Sequence, residues 1–247
     1  MIYKLEITKT VRSRFWLPVC VLLAAISAPL QVSPSIAEIK SPNLNLILRR
    51  LEEVQHHDPS QFQPYEVTRE YQLFHGDDKQ PTSEVTAQIN FVPPDTKTYK
   101  ITRVRGNSRG EKIVRKLLDR ETQSAKKGRA SDISQANCDF VFLREENFGT
   151  VPEYVLRIVP KRKYKALLNG QIWVDATTLH IRRIEGIPVK SPSFWIKDIY
   201  ITVQFAQLNG MWIPTSFDAI ATVRFLGRYT LAGLDILGPD SPSTIPK

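Results

Sequence analysis

Strict alternation of apolar and polar positions runs through most of the chain and predicts strands. Residues 151–188 hold three extended runs, at 154–159, 170–175 and 179–184. In the second, Ile172 and Val174 point one way while Gln171, Trp173 and Asp175 point the other. Asp175-Ala176-Thr177-Thr178 has the composition of a tight turn. Upstream, Tyr65, Val67, Arg69, Tyr71 and Leu73 share one face of a strand, followed by the turn His75-Gly76-Asp77-Asp78. Val85, Ala87, Ile89 and Phe91 line the next strand, Pro93-Pro94-Asp95 stops it, and residues 98–105 form another. A strand at 140–144 is expected to turn at Glu145-Glu146-Asn147. Downstream, Ile199, Ile201, Val203 and Phe205 alternate up to Asn209-Gly210, the strongest hairpin signal in the chain. Pro214 predicts an edge or a bulge in the returning strand. Residues 217–225 alternate again, and Gly227-Arg228 turns the chain into a last strand at 229–237.

Two stretches change period from two to 3.6. Leu44, Ile47, Leu48, Leu51 and Val54 form one apolar stripe after Ser41-Pro42, which suits a helix start. This helix is expected to end before Asp58-Pro59. A second runs from Glu111 to about Ala125, with Ile113, Val114, Leu117 and Leu118 as its stripe and Gly128 as a stop. Residues 131–137 suggest one more short helix or turn. The sum is a mainly β protein with helices (α+β). About 10–11 antiparallel strands would form an incomplete, strongly curved barrel covered by two or three helices.

The N-terminus departs from this pattern. Lys4, Lys9, Arg12 and Arg14 precede a stretch from Phe15 to Ala37 without a charged residue. Ser35-Ile36-Ala37 offers the small residues of a cleavage site, so residues 1–37 are expected to be a cleaved secretory signal peptide and the protein periplasmic. An uncleaved membrane anchor is the lesser alternative, weakened by Pro18, Pro29 and Pro34. Residues 38–238 then make one domain, and 239–247, with three prolines in the last ten residues, a flexible tail. Cys20 falls in the leader, and the remaining Cys138 cannot form an internal disulfide.

The formal charge of +9 is compatible with nucleic acid or an anionic membrane. Export removes nucleic acid as a partner, and the basic residues do not gather on one helix. Lys161, Arg162, Lys163 and Lys165 form a cluster that could touch an anionic surface, or simply keep a hairpin end wet. His56-His57 lacks ligand spacing to His75 or His180, so no metal is expected. The loop from Gly106 to Gly110 has neither the P-loop nor the dinucleotide pattern, so no cofactor is expected. Asp175, Glu185, Asp198, Asp218 and Asp235 are scattered carboxylates, and no nucleophile motif accompanies them. The chain does not read as an enzyme.

Gly170-Gln171-Ile172-Trp173-Val174-Asp175 and Ile181-Arg182-Arg183-Ile184-Glu185-Gly186 resemble the outer-membrane lipoprotein-sorting (LolA-like) family. So do Pro192-Ser193-Phe194-Trp195-Ile196 and Gly210-Met211-Trp212-Ile213-Pro214. The resemblance is moderate over the second half and weak over the rest. It implies an incomplete barrel with an apolar cavity on its concave side and helices as a lid. Carriers of that family take up acyl chains and pass them to an outer-membrane acceptor, while related folds serve as sensors. The chain departs from the carrier pattern in its extended leader and in the insert near Glu111 to Arg129.

On this reading the protein is a non-catalytic periplasmic carrier or chaperone for an acyl chain, lipid or lipoprotein, with transient membrane contact. The alternative is an envelope protein-interaction or stress-sensing module with a protein partner and no transported ligand. Candidate cavity-wall residues are Tyr71, Ile89, Phe91, Tyr99, Trp173, Trp195, Phe205, Trp212 and Phe217. Alternation leaves open which face of each strand is concave. Leu48, Leu51 and Leu117 are the candidate lid residues.

Overall fold

The computed structural model describes residues 42–58, 63–126, 133–163 and 167–236. The expected leader, the tail, Gly128 and Lys165 lie outside them.

Helix α1 (Leu44–His57) starts at Asn43, whose side chain accepts from Leu46 N at 3.3 Å. Asn43, and not the expected Ser41, is therefore the N-cap. Three strands follow: β1 (Tyr65–His75), β2 (Ser83–Val92) and β3 (Thr96–Gly106). Helix α2 (Ser108–Ala125) begins three residues earlier than periodicity indicates. Asn107 caps it by accepting from the amides of Arg109 and Gly110. A polar first turn carries no apolar stripe, so pattern alone misses it.

Seven more strands complete the fold: β4 (Cys138–Phe148), β5 (Val151–Pro160), β6 (Leu168–Asp175), β7 (Ile181–Pro188), β8 (Ile196–Leu208), β9 (Met211–Val223) and β10 (Gly227–Ile236). The expected turn at Glu145-Glu146-Asn147 is instead strand. The chain reverses two residues later at Gly149, which has a φ of +61°. Likewise β7 starts at Ile181, because Leu179 takes a left-handed φ of +58° and belongs to the turn. Asn209 and Gly210, both at positive φ, close the β8–β9 hairpin as their sequence dictates. The pairing shifts register where Phe205 meets Pro214, the bulge that this proline predicts.

All ten strands form one antiparallel sheet in the order β3-β2-β1-β10-β9-β8-β7-β6-β5-β4. Of the nine neighbouring pairs in this order, eight join strands consecutive in the chain, and the ninth is a seam where β1 pairs with β10. The sheet does not close, since β3 and β4 are not paired with each other. Among the described residues there are two helices, and they cover one face.

Each helix sits on its own core. Val114 and Leu118 of α2 pack with Tyr71, Val85, Ile89, Ile213 and Leu231. Ile47, Leu48 and Leu51 of α1 pack with Leu156, Ile158, Ile172, Val174 and Ile184. A fully buried leucine contributes roughly 1.5–3 kcal/mol by area, so a few such residues hold each helix down. No described helix is long and apolar enough to cross a membrane.

Candidate ligand groove

Strand β8 is sixth in the sheet, yet none of its residues is fully buried. Ile199, Ile201, Val203 and Phe205 form its apolar row and are all only partly covered. Register puts this row on the helix-covered face. Val203 lies opposite both Ile184 of β7 and Phe217 of β9, and Ile201 lies opposite Gly186 and Ala219. Ile184 belongs to the α1 core, whereas Phe217 packs against the α2 core. The row is therefore an apolar strip between two helix-covered cores. An interior strand normally buries such a row; here it is only half-covered.

Small residues flatten the floor beside it. Gly170 of β6 faces Gly186 of β7, and a Cβ on Gly170 would stand 1.9 Å from Glu185 O. Ala219 and Ala221 continue the low surface on β9.

On the α2 side the strip is bordered by buried charge. Arg69 of β1 forms a two-point ion pair with Asp235 of β10, one contact being Nη2 to Oδ2 at 3.2 Å. The same Nη2 donates to Pro214 O at 3.3 Å. Glu121 of α2 stands 3.6 Å from Arg69 Nη1 and 2.7 Å from Lys97 Nζ. The Tyr71 hydroxyl, beside this group, is buried without a hydrogen-bond partner, and desolvation raises its pKa. Sequence reading passed over the pair. Its signal was Arg69 in the apolar row of β1 and Asp235 in the buried row of β10.

The connection from β7 to β8 borders the strip at one end. Arg120 of α2 donates to Pro192 O at 3.0 Å, so this loop reaches the helix-covered side. It presents Phe194 and Trp195 to solvent.

Of the candidate wall residues, Phe205 and Phe217 line the strip and Trp195 stands at its end. Tyr71 and Ile89 are buried beneath α2. Tyr99 packs at the edge of that core and its hydroxyl donates to Asp119 at 2.6 Å. Phe91 stacks on Tyr65 at the far edge, with ring centroids 5.3 Å apart. Trp212 is partly buried, its ring 4.7 Å from that of His180 and its indole N–H bonded to Ile181 O at 2.6 Å. Trp173 alternates with the core residues Ile172 and Val174 and so faces the other way. There Arg183 covers its ring at 3.8 Å and its indole N–H donates to Glu146 at 2.5 Å. That bond holds the Glu146 carboxyl below its ordinary pKa. The residues missed by sequence reading are Ile199, Ile201 and Val203, whose alternation was legible but whose position between two helices was not.

Leu48 and Leu51 are buried under α1, and Leu117 is partly buried under α2. In the basic cluster, Lys161 bonds to Gln135 O at 2.7 Å and Arg162 to Asn137 at 2.5 Å, while Lys163 is exposed. Half of that cluster thus fastens the start of β4. A cleft of about 220 Å3 lies between β1, β2 and β3, lined by Glu70, Glu84, Thr86 and Arg103 among others. Most of its lining residues are polar or charged, and it lies on the opposite face from the strip. Among the described residues no three His, Cys, Asp or Glu side chains could share a metal.

No family model matches the chain. No curated protein matches it either. Among solved structures, it is similar to an outer membrane lipoprotein-sorting protein domain from Vibrio parahaemolyticus. The identity is 14% and the TM-score 0.42, with 78% of this chain and 91% of that one covered. A LolA superfamily protein from Nitrosomonas europaea is 14% identical with a TM-score of 0.36, covering 77% and 91%. A chain of the Pseudomonas aeruginosa MucA/MucB complex is 12% identical with a TM-score of 0.27, covering 78% and 93%. The first two carry the family names that the motifs of residues 170–214 resemble.

Proposed function

We propose that the protein is an exported, non-catalytic carrier that holds an acyl chain, free or on a protein, along the strip on β8. The observation that supports this is the half-covered row Ile199, Ile201, Val203 and Phe205 between two separately packed helices. An acyl chain laid on that row would remove apolar surface from water at roughly 25 cal/mol per Å2. It would need only a small outward shift of α1 or α2, since each helix rests on its own core. Export is supported by the charge and hydropathy pattern of residues 1–37.

A second reading is an envelope protein-interaction module. It is favoured by the depth at which Leu51 and Leu118 are already packed, which leaves partner binding to the outer surfaces.

The test is native mass spectrometry of the protein purified from its own envelope under mild conditions, followed by titration with a fluorescent fatty acid. A bound lipid or lipoprotein, and uptake weakened about tenfold or more in Val203→Asp, supports the carrier. A clean apo mass with no uptake by the unaltered protein overturns it and leaves the interaction module.

A further inference from the structure

The three most exposed large apolar side chains lie together, with Leu226 beside one of them, while less exposed ones such as Val141, Phe148 and Ile236 lie elsewhere on the sheet. Phe225 is 96% exposed, Phe194 76%, Trp195 58% and Leu226 48%. All four sit at the same end of the sheet, on the β7–β8 connection and the β9–β10 turn. The two segments are fastened together. Arg224 N donates to Trp195 O at 2.8 Å, and Arg224 Nε donates to Phe194 O at 3.1 Å. The Arg224 guanidinium also lies 4.9 Å from the Phe194 ring centre, and the Phe194 and Trp195 rings meet edge to face at 5.8 Å. This is a built tip, with the backbone hydrogen-bonded and the rings facing water.

Phe225 adds a second, independent observation. It is the third residue of the turn closed by Leu226 N and Val223 O, and its φ is +63°. That position ordinarily belongs to Gly or Asn, and a bulky residue there is strained. Burial does not offset the strain, because the side chain touches almost nothing. Strain kept at an exposed apex points to an external contact.

The charges around the tip indicate which contact. Residues 190–198 and 224–228 carry Lys190, Lys197, Arg224 and Arg228 against the single carboxylate of Asp198. The β5–β6 connection, at the same strand ends, adds the exposed Lys163. Acidic Asp77 and Asp78 approach only from the β1–β2 turn, tied on through Gly76 N and Arg228 O. Projecting aromatic and leucine side chains ringed by cations suit the headgroup layer of an anionic bilayer. The rings enter at the interface and the cations stay with phosphate. We propose that Phe194, Trp195, Phe225 and Leu226 form a membrane-docking tip that inserts into the surface of an anionic lipid bilayer. This inference is independent of the carrier reading, because it uses none of the residues of the β8 strip.

The experiment uses the full chain with phosphatidylcholine vesicles containing or lacking phosphatidylglycerol, some made with brominated acyl chains that quench tryptophan on contact. Every variant, including the reference protein, carries Trp16→Phe and otherwise the same residues 1–41, so any adhesion of that stretch is constant and adds no tryptophan signal. The expected result is tryptophan quenching on the anionic vesicles that disappears in Trp195→Phe while co-sedimentation persists. Phe225→Asn with Leu226→Ser should bind those vesicles about tenfold more weakly or worse, at unchanged or raised thermal stability, because Asn suits the turn. Quenching that survives Trp195→Phe, or equal binding by the double variant, overturns the proposal. Failure to bind either vesicle, with crosslinks from the tip to an envelope protein, overturns it in favour of a protein contact.

Discussion

Arg69 and Asp235 are 166 residues apart in sequence and form a buried two-point ion pair across the β1–β10 seam. Their side chains are 8% and 0% exposed. Removing one partner leaves the other charge stranded in the interior. Arg69→Met or Asp235→Leu alone should each destabilise the protein by about 3–5 kcal/mol. The double variant should recover a large part of that loss, since two apolar side chains fit the seam without a stranded charge. Urea denaturation of the four proteins measures the coupling. Additive losses would show that the pair is not a unit.

The two cores should respond separately. Leu51→Ala under α1 and Leu118→Ala under α2 each remove a fully buried side chain, at an expected cost of about 2–5 kcal/mol. The two residues share no core neighbour, so the double variant should lose the sum to within about 0.5 kcal/mol. Hydrogen exchange should show each single variant loosening mainly its own helix.

The β6–β7 turn should make stability depend on acid. Asp175 Oδ1 accepts from Thr177 N at 2.9 Å and Thr178 N at 2.8 Å, and Arg182 lies 3.5 Å from Oδ2. Burial pushes the carboxyl pKa up, but these donors and the guanidinium together bring it below its ordinary value. A carboxyl depressed in the folded state stabilises fully above its unfolded pKa, about 3.9. That stabilisation is lost as pH falls through the lower, folded value. Asp175→Asn keeps an oxygen for the amides and removes the titration. Its urea midpoint should therefore vary less than that of the unaltered protein between pH 5 and acid.

The glycine pair of β6 and β7 should resist any side chain. A Cβ on Gly170 meets Glu185 O, and one on Gly186 would stand 2.5 Å from Asn169 O. Both obstacles are backbone and cannot swing aside. Gly170→Ala should cost about 1–3 kcal/mol, seen as a lower urea midpoint with an unchanged slope. Gly149→Asn, at a positive-φ turn with open space around it, serves as the tolerated control.

Strand number, the Asn209-Gly210 hairpin and both helices were legible because each leaves a period in the sequence. The bulge at Pro214 was legible because proline cannot donate to a ladder. The β1–β10 seam was not, since alternation says which face a strand buries and nothing about its neighbour. Trp173 shows the same limit at a single residue. Its alternation against Ile172 and Val174 was plain, but only the helices over the other face reveal that it points away from the strip. The β8 row was hidden for the opposite reason: its pattern is that of any strand with one buried face. Phe225 needed a backbone angle, which no periodicity encodes.

The strand order also sets a timetable. Strands β5 to β10 can each pair with the strand made just before it, and so can β2 and β3. The two groups join only through β10, the last strand made. During synthesis the first three strands therefore wait, one edge open, for almost the entire domain to emerge. Contacts of such long sequence separation form slowly, and an unpaired edge in the meantime recruits other chains. A holdase that covers β1 until β10 arrives would raise the yield of native protein, while leaving the final stability unchanged.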